Sequence, residues 1–270
     1  MKWAFIYKRI FRFVSQRQHK PYVSNFSQFC WDTFRIYENH NYNPQTNGEY
    51  KLLEKLRKFD FTCFFDVGAN VGNWSIQAAK SFPRSNIYAF EIMEEPFKEL
   101  SKKCMIYPSI KSYNVGLSDK DEELQMREYE GASEHASLYD YNDQPARIIS
   151  RKAISGDNFL KDNNITQVGL IKIDTEGHDL AVLKGFEGAL QKKLINVVQF
   201  EYGKPNILSR ALLYDFFKFF EGHGYLVGKI FPHFVRFKPY DFFDENFIGP
   251  NFIAVRNDRT DIIEAIKKVS

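Results

Sequence analysis

Phe64-Phe65-Asp66-Val67-Gly68-Ala69-Asn70-Val71-Gly72-Asn73-Trp74-Ser75 is the stretch whose reading decides the fold. The apolar run 61–65, interrupted only by Thr62, predicts a strand. A carboxylate, two glycines four apart and a helix-like segment over 74–80 follow, so the whole reads as strand, tight turn, helix. Glycine suits a backbone that must turn sharply and approach a ligand closely, because it has no Cβ. Asn70 takes the middle of the turn, and Asn is the non-glycine residue that best tolerates left-handed dihedrals. Glycine turns after strands are common, so this one becomes a nucleotide-type site only if residues elsewhere agree.

Outward from that stretch the pattern is regular. Tyr50, Leu53 and Leu56 predict a helix over 49–58. Downstream come a strand over 86–91 that ends in Glu91, a helix over 96–104 and a third strand over 110–117. Residues 121–150, with turn formers around Gly131 and Pro145, suit a hairpin or a substrate-facing loop. A short helix over 157–161, a buried strand over 168–174 and a helix over 179–190, with Leu180, Leu183 and Leu190 inward, follow. Then come a strand over 195–201 and a helix over 208–220, with Leu212, Phe216 and Phe219 inward, stopped by Gly222-His223-Gly224. Two closing strands, 225–230 and 251–256, flank an aromatic loop over 231–247. Alternating strands and helices imply an α/β fold with a parallel sheet covered on both faces, whose ligands bind beyond the carboxyl ends of the strands. That rim gathers the Gly68 to Gly72 turn, Glu91, Ser118, Asp174 and Glu201.

Composition narrows the function. A chain of 270 residues, 44% hydrophobic and 26% charged, is expected to form one large globular domain. Its net charge of +3 is too mild for a nucleic-acid binder. Cys30, Cys63 and Cys104 are odd in number and contain no CxxC pair, which suits a reducing, cytoplasmic compartment better than a disulfide framework or a zinc site. Aromatic residues make up 17% of the chain, enough to fill a core or build apolar pockets. Residues 1–14 are apolar and basic, but Lys8, Arg9 and Arg12 interrupt them too soon for a membrane span or signal core. As a helix they put Trp3, Ile6, Ile10 and Phe13 on one face, for packing on the domain or for weak contact with a membrane surface. Residues 15–48 show no clear period.

Glu91 lies 25 residues after Asp66, at a place where a carboxylate can accept from both hydroxyls of a ribose; capping the next helix is the structural alternative. The loop is D-x-G-x-N-x-G rather than the G-x-G-x-x-G that meets a pyrophosphate. Asp66 would oppose a pyrophosphate and help receive a cationic amino-acid moiety. S-adenosylmethionine has a ribose and such a moiety, and is expected over a nicotinamide cofactor.

Asp66-Val67-Gly68-Ala69-Asn70-Val71-Gly72, Glu91 and above all Lys172-Ile173-Asp174-Thr175-Glu176-Gly177-His178, continued to Gly185, resemble the FkbM-type S-adenosylmethionine-dependent methyltransferases. Asn47-Gly48-Glu49 and Asn251-Phe252-Ile253-Ala254 are similar more weakly, and the likeness covers roughly 47–256. The resemblance implies a class I, Rossmann-like three-layer sandwich with a mostly parallel seven-stranded sheet and an antiparallel last strand. It also implies O-methylation of a sugar, glycolipid, polysaccharide or secondary metabolite. The expected division is an N-terminal extension over 1–46, a methyltransferase domain over 47–258 and a C-terminal helix or tail over 259–270.

Methyl transfer to oxygen needs alignment and a base. Asp174 ends the strand beside the opening one, and Glu176 and His178 follow on the same turn, so these three are the expected catalytic residues. Glu176 and Asp179 have an alternative role in stabilising the next helix, as His178 has in satisfying backbone groups. Asp66, Gly68, Asn70, Gly72, Glu91 and Ser118 are expected at the cofactor, and Glu201 and Tyr202 at the acceptor. Asp174, His178 and Glu201 form an alternative magnesium set, but their spacing matches no recognised metal motif and no metal is expected. The rings of 231–247 suit local core or a dimer surface better than a lid over substrate. The rival functions are a nicotinamide oxidoreductase and a non-catalytic cofactor-binding scaffold.

Overall fold

The computed structural model describes residues 2–129, 138–140 and 145–268, with side chains from residue 4. Its strands are β1 (Cys63–Val67), β2 (Asn86–Phe90), β3 (Ile110–Tyr113), β4 (Gly116–Ser118), β5 (Glu122–Tyr129) and β6 (Ala146–Ser155). Then come β7 (Val168–Ile173), β8 (Ile195–Glu201), β9 (Tyr225–Ile230), β10 (Val235–Phe237) and β11 (Asn251–Arg256). The helices are α1 (Lys2–Ser15), α2 (Pro21–Tyr37), α3 (Glu49–Leu56), α4 (Asn73–Ser81), α5 (Glu94–Cys104) and α6 (Gly156–Asp162). They continue with α7 (Asp179–Lys184), α8 (Glu187–Gln191), α9 (Pro205–Ser209), α10 (Leu213–Gly222) and α11 (Thr260–Ile266).

Eight strands form one sheet in the order β3-β2-β1-β7-β8-β11-β9-β10. β1, β2, β3, β7 and β8 are parallel, and β11 inserts antiparallel between β8 and β9. The chain leaves β1 toward β2 on one side and returns as β7 on the other, so the carboxyl ends of β1 and β7 flank the reversal where such sheets bind ligands.

Each face of the sheet carries its own core, because successive side chains of a strand point to opposite sides. Phe65 is fully buried with Phe159 and Phe186, whose rings meet it edge-on at 5.7 Å. Phe64 faces the other way, toward Phe82 at 4.5 Å, within the cluster that includes α3 and α4. Burying one such ring contributes about 1.5–3 kcal/mol. Ile262 and Ile266 of α11 complete this second cluster beside Leu52, Leu53 and Leu56 of α3.

Several expectations change in detail. Among the described residues the sheet has eight strands rather than seven, because Val235, Arg236 and Phe237 of the aromatic loop pair with β9. The expected third strand divides: β3 joins the main sheet, whereas β4 joins β5 and β6 in a separate three-stranded sheet. That small sheet is the hairpin alternative for 121–150, with Gly131 outside the described residues. The helix expected over 179–190 breaks at Gly185, where a Cβ would come 2.0 Å from the carbonyl oxygen of Ser118. Residues 15–48 are not irregular throughout, since α2 occupies half of them. Leu212 precedes α10 and is exposed, while Phe216 is fully buried. In the loop over 231–247, Phe231 stacks on Phe234 at 5.1 Å, whereas Phe242 and Phe243 are exposed.

Candidate active site

At the end of β1 the chain makes three left-handed residues in five: Gly68 at φ 77°, Asn70 at 47° and Gly72 at 84°. Gly68 is the tightest. A Cβ there would lie 1.9 Å from the carbonyl oxygen of Asp174, because the ends of β1 and β7 are pressed together. Gly68→Ala should therefore destabilise the protein by at least about 2 kcal/mol in urea titration, and an unchanged midpoint would contradict this packing.

Two cavities open from this turn. Gly68, Asn70 and Asp174 line both. The first cavity, of about 150 Å³, runs past Glu91, Met93, Leu117, Met126, Glu176 and His178. Glu91 accepts the Asn70 N–H on one carboxylate oxygen and the Met93 N–H on the other, each at 2.8 Å. It thus ties the glycine turn to the start of α5 and retains lone pairs for ligand hydroxyls. Burial pushes its pKa up.

The second cavity, of about 320 Å³, is lined by Tyr42, Asn47, Glu49, Trp74, Lys172, Glu201 and Asn251, among others. The segment leading into α3 therefore supplies one wall, although residues 1–46 carry no part of the family likeness. Tyr42, Glu49, Trp74 and Lys172 are absent from the expected site residues. The short likenesses at 47–49 and 251–254 were the available signal for this wall; nothing local marked Tyr42. Glu49 accepts from Gln199 Nε2 at 2.7 Å, and the same nitrogen lies 3.0 Å from Asn251 Oδ1, which locks this wall to β8 and β11.

The remaining expected residues lie at different depths. Asp66 is fully buried below the turn, accepts from Ser75 Oγ at 2.6 Å and lines neither cavity. Gly72 also lies outside both cavities; a Cβ there would come 2.6 Å from Leu100. Ser118 is fully buried, its hydroxyl 3.0 Å from His178 Nε2 and 2.8 Å from Glu122. Glu201 lines the acidic cavity. Tyr202, the next residue, turns to the opposite face, donates to Glu245 at 2.7 Å and stacks on Phe247. His178 faces the first cavity, so Asp174, His178 and Glu201 do not converge as a metal set. Among the described residues no group of three or more His, Cys, Asp or Glu is placed to hold a metal ion.

Charge is the site's most unusual property. Lys172 is buried 2.8 Å from Asp174 and 3.9 Å from Asp66. Burial alone would lower its pKa, but Asp174, Asp66 and Glu49 outweigh burial and hold it protonated. One ammonium cannot balance the surrounding carboxyls: burial first, then Asp174 among their neighbours, pushes Glu49, Asp66 and Glu201 above the usual carboxylate range. Among the described residues, the buried atoms here without a hydrogen-bond partner include Asp66 Oδ1, Gln199 Oε1 and the Trp74 indole N–H. Such a site favours a ligand that brings positive charge and an oxygen for that N–H. Burial lowers the His178 pKa, which leaves a neutral imidazole at pH 7.

The profile of the methyltransferase FkbM domain matches residues 66–227. The chain belongs to the FkbM methyltransferase family. It is 28% identical over 153 residues to the hexuronic acid methyltransferase AglP of Haloferax volcanii, covering 56% of this chain and 60% of that one. Methyltransferase 1 of Beauveria bassiana is 24% identical over 199 residues, or 62% of this chain and 78% of that one. The crystal structure of methyltransferase FkbM from Methylobacillus flagellatus superimposes with a TM-score of 0.48 at 13% identity, over 73% of this chain and 44% of that one. The chain thus spans less than two thirds of the length of the archaeal relative. FkbM membership implies S-adenosylmethionine as methyl donor, and the excess of carboxyls lining the second cavity, Glu49, Asp174 and Glu201, fits a cation-bearing cofactor.

Asp179 makes the acid excess measurable. It is buried behind the turn, accepts from Gly177 N–H at 3.2 Å, and burial, then Asp174, raise its pKa to about 7. The folded protein holds this proton more tightly than the unfolded chain, whose Asp titrates near about 3.9. Its contribution to stability is therefore complete below about pH 4 and is lost as pH rises to about 7. Asp179→Asn should flatten the fall of Tm over that window, and an unchanged slope in thermal melts would contradict this reading.

Proposed function

We propose that this FkbM-family protein is an S-adenosylmethionine-dependent O-methyltransferase acting on a hydroxyl of a sugar-containing acceptor. The carrying observation is that a cavity built around Glu91 and an acid-lined cavity meet at Gly68, Asn70 and Asp174. When bound, S-adenosylmethionine supplies a methyl carbon activated by positively charged sulfur. Glu91 would take the ribose hydroxyls on its remaining lone pairs, and the 68–72 turn would cradle the amino-acid end. Asp66 would act from below through Ser75 and Lys172, and Ser118 by holding His178.

Asp174, where the cavities join, is the proposed proton acceptor for the attacking hydroxyl, with its orientation held by Lys172. Glu176 follows at φ 51° and Gly177 at 98°, a turn that keeps this segment at the cavity edge. Glu201 and Tyr42 would hold acceptor hydroxyls, while Tyr202 supports that wall from behind. The Haloferax relative, a hexuronic acid methyltransferase, supports a sugar acceptor. Three unpaired cysteines support a reducing, cytoplasmic setting.

Calorimetric titration separates this reading from its rivals. S-adenosylhomocysteine should bind and NADH should not. Binding of NADH alone would overturn the proposal, and cofactor binding without methyl transfer from labelled donor to any of a panel of glycans would leave a scaffold in its place.

A further inference from the structure

We propose that α1 and the exposed face of α2 dock the protein on the anionic surface of a phospholipid bilayer, lying in the interface. At 100° per residue, Ile6, Tyr7, Ile10, Phe11, Phe13 and Val14 occupy an arc of about 160° on α1, and Lys8, Arg9 and Arg12 occupy the other side. This apolar arc is uncovered: Tyr7 is 69% exposed, Phe11 62% and Ile10 48%. On α2, Tyr22, Phe26, Phe29 and Ile36 recur at helical spacing, and all are exposed. Phe13 and Tyr22, with ring centroids 6.3 Å apart, join the two stripes into one surface. An apolar face of this extent does not stay in water without a partner.

Charge selects the partner. Residues 1–31 contain Lys2, Lys8, Arg9, Arg12, Arg17 and Lys20 and no Asp or Glu. A second copy of the chain would bring the same cations against each other, whereas a bilayer offers an apolar layer beneath anionic headgroups. Among the described residues no helix is long and apolar enough to cross a membrane. The far end of α2 is fastened to the catalytic body. Glu38 binds Arg236 at 2.6 Å and Lys229 at 3.4 Å, and Asn39 donates to the carbonyls of Asn47 and Ile230. Tyr42, three residues on, lines the acidic cavity. Surface docking and the acceptor wall thus share one continuous segment.

Vesicle flotation of the full chain tests this independently of the reaction. The protein should float with vesicles of phosphatidylglycerol and phosphatidylcholine, and much less with phosphatidylcholine alone or at high salt. The Lys8→Glu/Arg9→Glu/Arg12→Glu variant should lose at least on the order of 100-fold in partitioning, given the contribution of each basic residue near an anionic surface. Ile6→Ser/Ile10→Ser/Phe13→Ser should abolish flotation with every charge in place. Both variants alter exposed positions, so Tm and affinity for S-adenosylhomocysteine should match the parent. Flotation that ignores lipid charge or survives both triple changes would overturn the proposal, as would no flotation by the parent. A parent that is dimeric by sedimentation and becomes monomeric in the apolar variant, without vesicle binding, would assign the face to a second copy instead.

Discussion

Lys172→Met should cost about 3–5 kcal/mol of stability at pH 7.5, because it removes the one cation from a buried group of carboxyls and keeps the volume. The loss should depend on pH in a defined direction. Burial already raises the pKa of Asp66 and Glu49, and without Lys172 both would rise further. Their protonation at pH 5 would then restore much of the stability. Adding Asp66→Asn to Lys172→Met should recover part of the loss at pH 7.5 for the same reason. Urea titrations at the two pH values decide the matter: an equal cost at both, or no cost, would mean that Lys172 is held by packing and not by charge.

Asp174→Ala carries the second large effect. A positioned proton acceptor contributes roughly 10²–10⁴ in rate, so single-turnover methyl transfer should fall by that range. Affinity for S-adenosylhomocysteine should change by only a few fold, and Tm by a few degrees, because Lys172 keeps Asp66 and Glu49 as partners. Near-normal turnover would remove Asp174 from the mechanism. His178→Ala provides a comparison: its imidazole faces the cavity around Glu91, and its Nε2 is engaged with Ser118, so its effect should fall on cofactor affinity.

The turn at 68–72 could be read residue by residue, since glycine, asparagine and carboxylate spacing are consequences of backbone sterics and local chemistry. The same holds for β8, β9 and β11, whose short apolar runs have the expected boundaries. α2 escaped because the residues that mark its face, Tyr22, Phe26 and Phe29, are exposed, while Cys30, Trp31 and Phe34 fill other sides and blur the period. Tyr202 illustrates a different difficulty. Adjacent strand residues face opposite ways, and Glu201 took the cavity side while Tyr202 went to Glu245 and Phe247.

The sequence alone determined that an α/β sheet would carry a glycine turn after its first strand, with Glu91 and Asp174 on the same rim. Periodicity and dihedral preference act over a few residues, so they survive in the order of amino acids. Tertiary structure decided that Tyr42 and Glu49 line the second cavity, that an edge strand is added from the aromatic loop, and that several carboxyls gather around one buried ammonium. Those outcomes depend on which distant surfaces exclude water together. Desolvation is a property of that assembled environment, and it converts ordinary aspartates and glutamates into a site that favours a cation.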